Sequence, residues 1–173
     1  MSEMRWANKL LFSSAITQGA IYVIRPMMIY RALELDASPT IIGFIAAMYA
    51  LFPVLLALTF GRLVGRVGEG RFVIVGTFFI GVSALVLLFA DSLLIVAMGA
   101  ALSGLAHLAC MIGGQTMVAL KSPPDQYEEH FGRYTFSASL GHMVGPILAT
   151  LVAGSTGVMP KSTSAAFALA LAL

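Results

Sequence analysis

The chain has 173 residues, 59% of them hydrophobic and only 10% charged, with a formal net charge of +2. Soluble domains carry about 25% charged residues, so this composition excludes an ordinary water-soluble domain, and so small a net charge implies no nucleic-acid partner. The single cysteine, Cys110, excludes an intramolecular disulfide and a thiolate metal centre; no cofactor or metal ion is implied.

A helix needs about 20 mostly apolar residues to cross roughly 30 Å of hydrocarbon. Five stretches qualify. Residues 10–30 carry one formal charge, Arg25; 41–60 and 72–90 carry none; 93–120 is uncharged apart from any proton on His107; and 134–159 is rich in glycine. The first stretch contains Gln18 and Arg25 and is followed by further spans, so it reads as a retained helix and not as a cleaved signal peptide. A partial sixth run occupies 164–173; its apolar part, AAFALALAL, has nine residues and reaches about 13 Å at 1.5 Å per residue, which suggests a sequence cut within a sixth helix. Isolated strands would leave backbone amides unpaired in lipid, and the continuous runs lack the alternation of a membrane barrel. The expectation is an all-α, polytopic transmembrane helical bundle: five full spans plus the start of a sixth, forming one membrane domain over residues 1–173.

The connections carry the charge. With the N-terminus in the cytoplasm, Arg5, Lys9, Arg62, Arg66, Arg71, Lys121 and Arg133 fall inside, against Arg31 and Lys161 outside. A multi-pass protein of the plasma or bacterial inner membrane is expected in that orientation, with the lipid bilayer as its first partner. Asp91 and Ser92 read as a tight outer turn. Ser122-Pro123-Pro124 opens a longer cytoplasmic loop through Asp125, Glu128, Glu129 and His130, because Pro124 ends any preceding helix.

Polar residues inside spans are costly and mark cavities or helix contacts. Gln18, Tyr22 and Arg25 share one face of the first helix, and Pro26 allows a bend after them. His107, Met111 and Gln115 share a face of the fourth. Either Arg25 attracts an anionic or carbonyl group of a substrate that His107 or Gln115 orients, or Arg25 snorkels to the outer interface while Gln18 and His107 bond neighbouring helices. His142 reads as a packing residue, though a histidine can relay protons near neutral pH. No Asp or Glu lies within a span. Two helices carry small-residue stripes that permit close helix approach: Gly99, Ser103, Ala106, Cys110 and Gly113 in the fourth, and Ser137, Gly141, Gly145, Ala149 and Ala153 in the fifth.

The string GRLVGRVGEGR, residues 61–71, reads as a glycine-rich reversal held at the membrane surface by its arginines. It resembles the G-x-L-x-D-R-x-G-R-R pattern between helices two and three of the major facilitator superfamily, through Gly61, Leu63, Arg66 and Gly68, with Arg71 just beyond. Gly65 stands at the acidic position and Glu69 at the first basic one, so a charge latch of the family type is weaker here or built around Glu69. GHMVGP, with Gly141, Gly145 and Pro146, resembles the G-x-x-x-G-P core found in helix five of superfamily antiporters. The helix-four arginine of that branch is absent; Ala100, Ser103 and Gly104 occupy the corresponding places.

The resemblance implies the N-terminal six-helix half of a secondary transporter. The intact protein is then expected to move a small organic solute by alternating access, with proton-coupled efflux, and with a second six-helix half closing a cavity lined by helices one and four. This chain alone is expected not to transport. Two other classes stand beside it: a membrane-embedded accessory or scaffold subunit, and a non-functional truncated fragment. No G-x-S-x-G, H-E-x-x-H or P-loop pattern occurs, so no enzyme is expected.

Overall fold

A computed structural model describes residues 2–156, 159–160 and 162–173. It is built from six helices: α1 Ser2–Glu34, α2 Pro39–Val67, α3 Glu69–Leu88, α4 Leu93–Lys121, α5 Tyr127–Ala153 and α6 Thr163–Ala172. A two-residue antiparallel bridge, β1 Ser155–Thr156 with β2 Met159–Pro160, lies between α5 and α6. Four helices, α2 to α5, are long and apolar enough to cross a membrane. At 33 residues α1 has the length, but Ser13, Ser14, Thr17, Gln18 and Arg25 dilute its apolar run. The chain is a helical membrane bundle.

The helices extend beyond the apolar runs that announced them. The expected glycine-rich reversal at 61–71 is a correction: α2 continues through Gly61, Leu63 and Arg66 to Val67, and α3 starts at Glu69, so the turn is the single residue Gly68, with φ 96°. Only a residue without a Cβ takes that conformation freely. Arg71 lies in the first turn of α3. The fifth segment is displaced too. Glu128, Glu129 and His130 form the first turn of α5 and not a loop, and acidic side chains suit a helix N-terminus. The helix stops at Ala153, where Gly154 turns the chain with φ 65°. Gly157 and Val158, expected in that segment, and Lys161, counted among the outer cations, lie outside the described residues.

Two seams hold the bundle. Along α1 and α5, Gly141 and Gly145 bring two backbones together: a Cβ on Gly145 would lie 2.6 Å from the Gly19 carbonyl oxygen, and one on Gly141 would collide with the Ala15 carbonyl. Ser137 donates to the Leu11 carbonyl in the same seam. Along α3 and α4, Gly76 faces Cys110 and Gly99 faces Leu87. There Ser83 donates to the Ile80 carbonyl at 2.8 Å and its oxygen lies 3.0 Å from the Ser103 hydroxyl. The α2 helix is held mainly by α4 and presents much of its surface outward, Leu58 being 78% exposed. Lipid is the natural solvent for such side chains.

The two ends of the bundle differ. Lys121 pairs with Glu69 at 3.0 Å and Arg133 with Glu129 at 2.7 Å at the end where α2 turns into α3. At the other end Arg31 contacts Glu34 at 3.1 Å and donates to Ser164 Oγ at 2.6 Å, while Thr163 donates to Glu34 at 2.7 Å. These bonds tie α6 to the end of α1.

Candidate functional site

Four helices bring polar side chains to one place inside the bundle. At its centre is Gln18 of α1, 2% exposed. Its Nε2 lies 2.9 Å from the sulfur of Met111 on α4. A thioether can only accept, so this contact fixes which way the amide faces. The carbonyl oxygen Oε1 then receives Nε2–H from His107 of α4 at 2.9 Å and from His142 of α5 at 3.1 Å. In the neutral imidazole the other nitrogen is bare, and His107 Nδ1 accepts from the Tyr49 hydroxyl of α2 at 2.6 Å. Tyr49, His107 and Gln18 therefore form one directed line of donation across three helices.

Beside this line the aromatic rings continue. Tyr22 stacks on His142 with centroids 4.0 Å apart and planes 20° from parallel. The Arg25 guanidinium carbon sits 5.3 Å from the Tyr22 ring centre and 5.0 Å from that of Tyr49. Both distances are within cation–π range. Arg25 itself is exposed, at the wall of an open cleft of about 430 Å³ that Tyr22, Tyr49, Pro26, Ile29 and Pro146 also line. An apolar groove of about 270 Å³ between α2, α3 and α4 takes in Phe60, Leu63, Phe72 and Phe79, with no polar side chain in its lining; it offers nothing to orient a solute.

The sequence-based candidates divide. Gln18, Tyr22, Arg25, His107 and Met111 come together. Gln115 is exposed and, among the described residues, stands outside the network. His107 has both ring nitrogens engaged, so it positions Gln18 and Tyr49 and has no free nitrogen for a solute. Gly141 and Gly145 serve the α1–α5 seam, and Pro146 lines the cleft.

Two members of the cluster were missed: Tyr49, and His142, which was read as packing. A signal for both exists. A proline has no N–H, so the carbonyl four residues earlier in a helix loses its partner. Pro26 in α1, Pro53 in α2 and Pro146 in α5 are interior to their helices. The carbonyls they free belong to Tyr22, Tyr49 and His142, all three in the cluster. Against the Tyr49 carbonyl lies the backbone of Gly104, too close for any Cβ there.

No cluster of His, Cys, Asp and Glu suited to a metal ion occurs among the described residues. Comparison with known proteins gives a consistent picture. An uncharacterized MFS-type transporter of Methanocaldococcus jannaschii is 27% identical over 142 residues, which is 82% of this chain and 37% of that protein. The chain therefore spans little more than a third of that relative's length. The family described as Major Facilitator Superfamily matches residues 10–173. With a match covering nearly the whole chain, the protein belongs to the major facilitator superfamily.

Proposed function

We propose that the intact protein moves a small organic solute across a plasma or bacterial inner membrane by alternating access, and that this chain forms one wall of its central cavity. The observation carrying this reading is the cluster itself: polar and aromatic side chains from α1, α2, α4 and α5 meet in one network, and its Tyr22 and Tyr49 line an adjoining open cleft with Arg25. In secondary transporters such sites lie near the midplane, between halves that rock about them. In this reading α1 to α5 are five full spans, α6 begins a sixth, and the cation-bearing end with Arg62, Arg66, Arg71 and Lys121 faces the cytoplasm, as does the N-terminus. A second six-helix half faces the cleft. The fraction of the relative's length covered, 37%, leaves room for one.

Proton-coupled efflux is the mode favoured by the antiporter-like GHMVGP element. The titratable rings available to it on this wall are His107 and His142. The test is counterflow of labelled organic solutes into liposomes carrying the full-length protein. Saturable exchange is expected with the full-length protein and none with the 173-residue chain alone. Absence of exchange for every solute class with the full-length protein, or saturable flux from this chain alone, overturns the reading.

A further inference from the structure

Arg25 places a full positive charge at the exposed wall of the cleft, without a countercharge among the described residues. All eight acidic residues fall at helix ends or in connections, and the nearest along α1, Glu34, is engaged by Arg31 and Thr163. Among the described residues, therefore, no carboxylate meets the Arg25 guanidinium. Its neighbours are instead two π faces, Tyr22 and Tyr49 at 5.3 and 5.0 Å, which stabilise the cation without neutralising it. A guanidinium that lines a cleft and meets no carboxylate leaves that cleft complementary to an anion.

We propose that the cleft binds a small monoanionic organic carboxylate, held by the in-plane N–H groups of Arg25, with its apolar part against Pro26, Ile29 and Ala46. This rests on the transporter reading for its physiological meaning, but binding is measured separately from flux. Three features choose the carboxylate. Among the described residues the Arg25 guanidinium makes no hydrogen bond, and its planar fork of donors matches a carboxylate in two parallel hydrogen bonds. A single cation, with no lysine in the lining, balances one negative charge and not the two of a phosphate monoester. Of the two tyrosines in the lining, Tyr49 already donates its hydroxyl to His107 and Tyr22 offers a neutral hydroxyl, so Arg25 is the charged anchor of the cleft.

The experiment is thermal melting of purified full-length protein in detergent with phenylacetate, hexanoate, phenylacetamide, phenethylamine and phenyl phosphate as probes. The two carboxylates are expected to raise the melting temperature saturably, and the amide, amine and phosphate to do so at least about tenfold more weakly. Arg25→Gln should weaken carboxylate binding about tenfold or more; Arg25→Lys, which keeps the charge and loses the planar fork, should fall between. Glu69→Gln, remote from the cleft, should leave binding unchanged. Should Arg25→Gln not fold, Arg25→Lys carries the comparison. Equal stabilisation by the amide or amine, no stabilisation by either carboxylate, or Arg25 variants that bind carboxylates like the parent would overturn the proposal. In that last case Arg25 answers an acid of the second half. Carboxylate binding without any counterflow sinks the transporter reading alone; counterflow indifferent to solute charge sinks this proposal alone.

Discussion

The α3–α4 seam and the cleft side of the bundle both carry polar atoms, and they treat them in opposite ways. In the seam, Ser83 and Ser103 are fully buried and use short hydroxyls to bond backbone carbonyls of their own helices, at 2.8 Å in each case. Nothing there needs a partner from outside. On the cleft side, Gln18, His107, His142 and Tyr49 reach across four helices to one another, and the line ends beside an exposed guanidinium. Polar groups that satisfy themselves locally are compatible with pure packing. Polar groups that meet in an interhelical network beside an open cleft are the ones the proposed transport reading assigns to the working face.

That contrast can be broken by substitution. The largest effect belongs to neither region but to the seam that supports the cluster. Gly145→Leu sets a side chain where even a Cβ would lie 2.6 Å from the Gly19 carbonyl and 3.0 Å from Tyr22 Cβ. It should cost about 3 kcal/mol, seen as a strong fall in melting temperature and loss of the monodisperse peak in detergent gel filtration. Gln18→Leu comes next. It leaves Nε2–H of both His107 and His142 without an acceptor, which should cost about 1–3 kcal/mol by thermal melting and abolish counterflow. Ser103→Ala should be the mildest, below about 1 kcal/mol, with counterflow unchanged. A Ser103→Ala effect as large as that of Gln18→Leu, or one that reaches transport, would erase the distinction between the two regions.

Much of the fold was legible because lipid imposes a simple rule: an apolar run of sufficient length must close its own backbone hydrogen bonds. The helices from Pro39 to Ala153 follow the expected order, and the small-residue stripes became the seams. Helix ends were less legible. In water, Gly61 and Gly65 argue for a loop, but a membrane helix tolerates glycine, so α2 ran on until Gly68 supplied a backbone angle that other residues avoid. The cluster was half visible. Helical spacing put Gln18, Tyr22 and Arg25 on one face, and charge rarity singled out His107. Tyr49 is one of four aromatics in α2, beside Phe44, Phe52 and Phe60, and its role depends on the neighbour that α4 presents. His142 was absorbed into its stripe of small neighbours. Gln115 lies apart from the network for a geometric reason: eight residues beyond His107 is about 12 Å along the helix axis.

The three interior prolines have a mechanical consequence. Each opens a gap in its helix's hydrogen-bond ladder one turn from a cluster residue, and such gaps are where helices bend most cheaply. With Pro26, Pro53 and Pro146 in α1, α2 and α5, the flex points of three rods coincide with the Gln18 network. The 29 residues of α2 make a lever about 44 Å long. A bend at Pro53 displaces the tips of that lever far more than Tyr49, which lies one turn from the fulcrum.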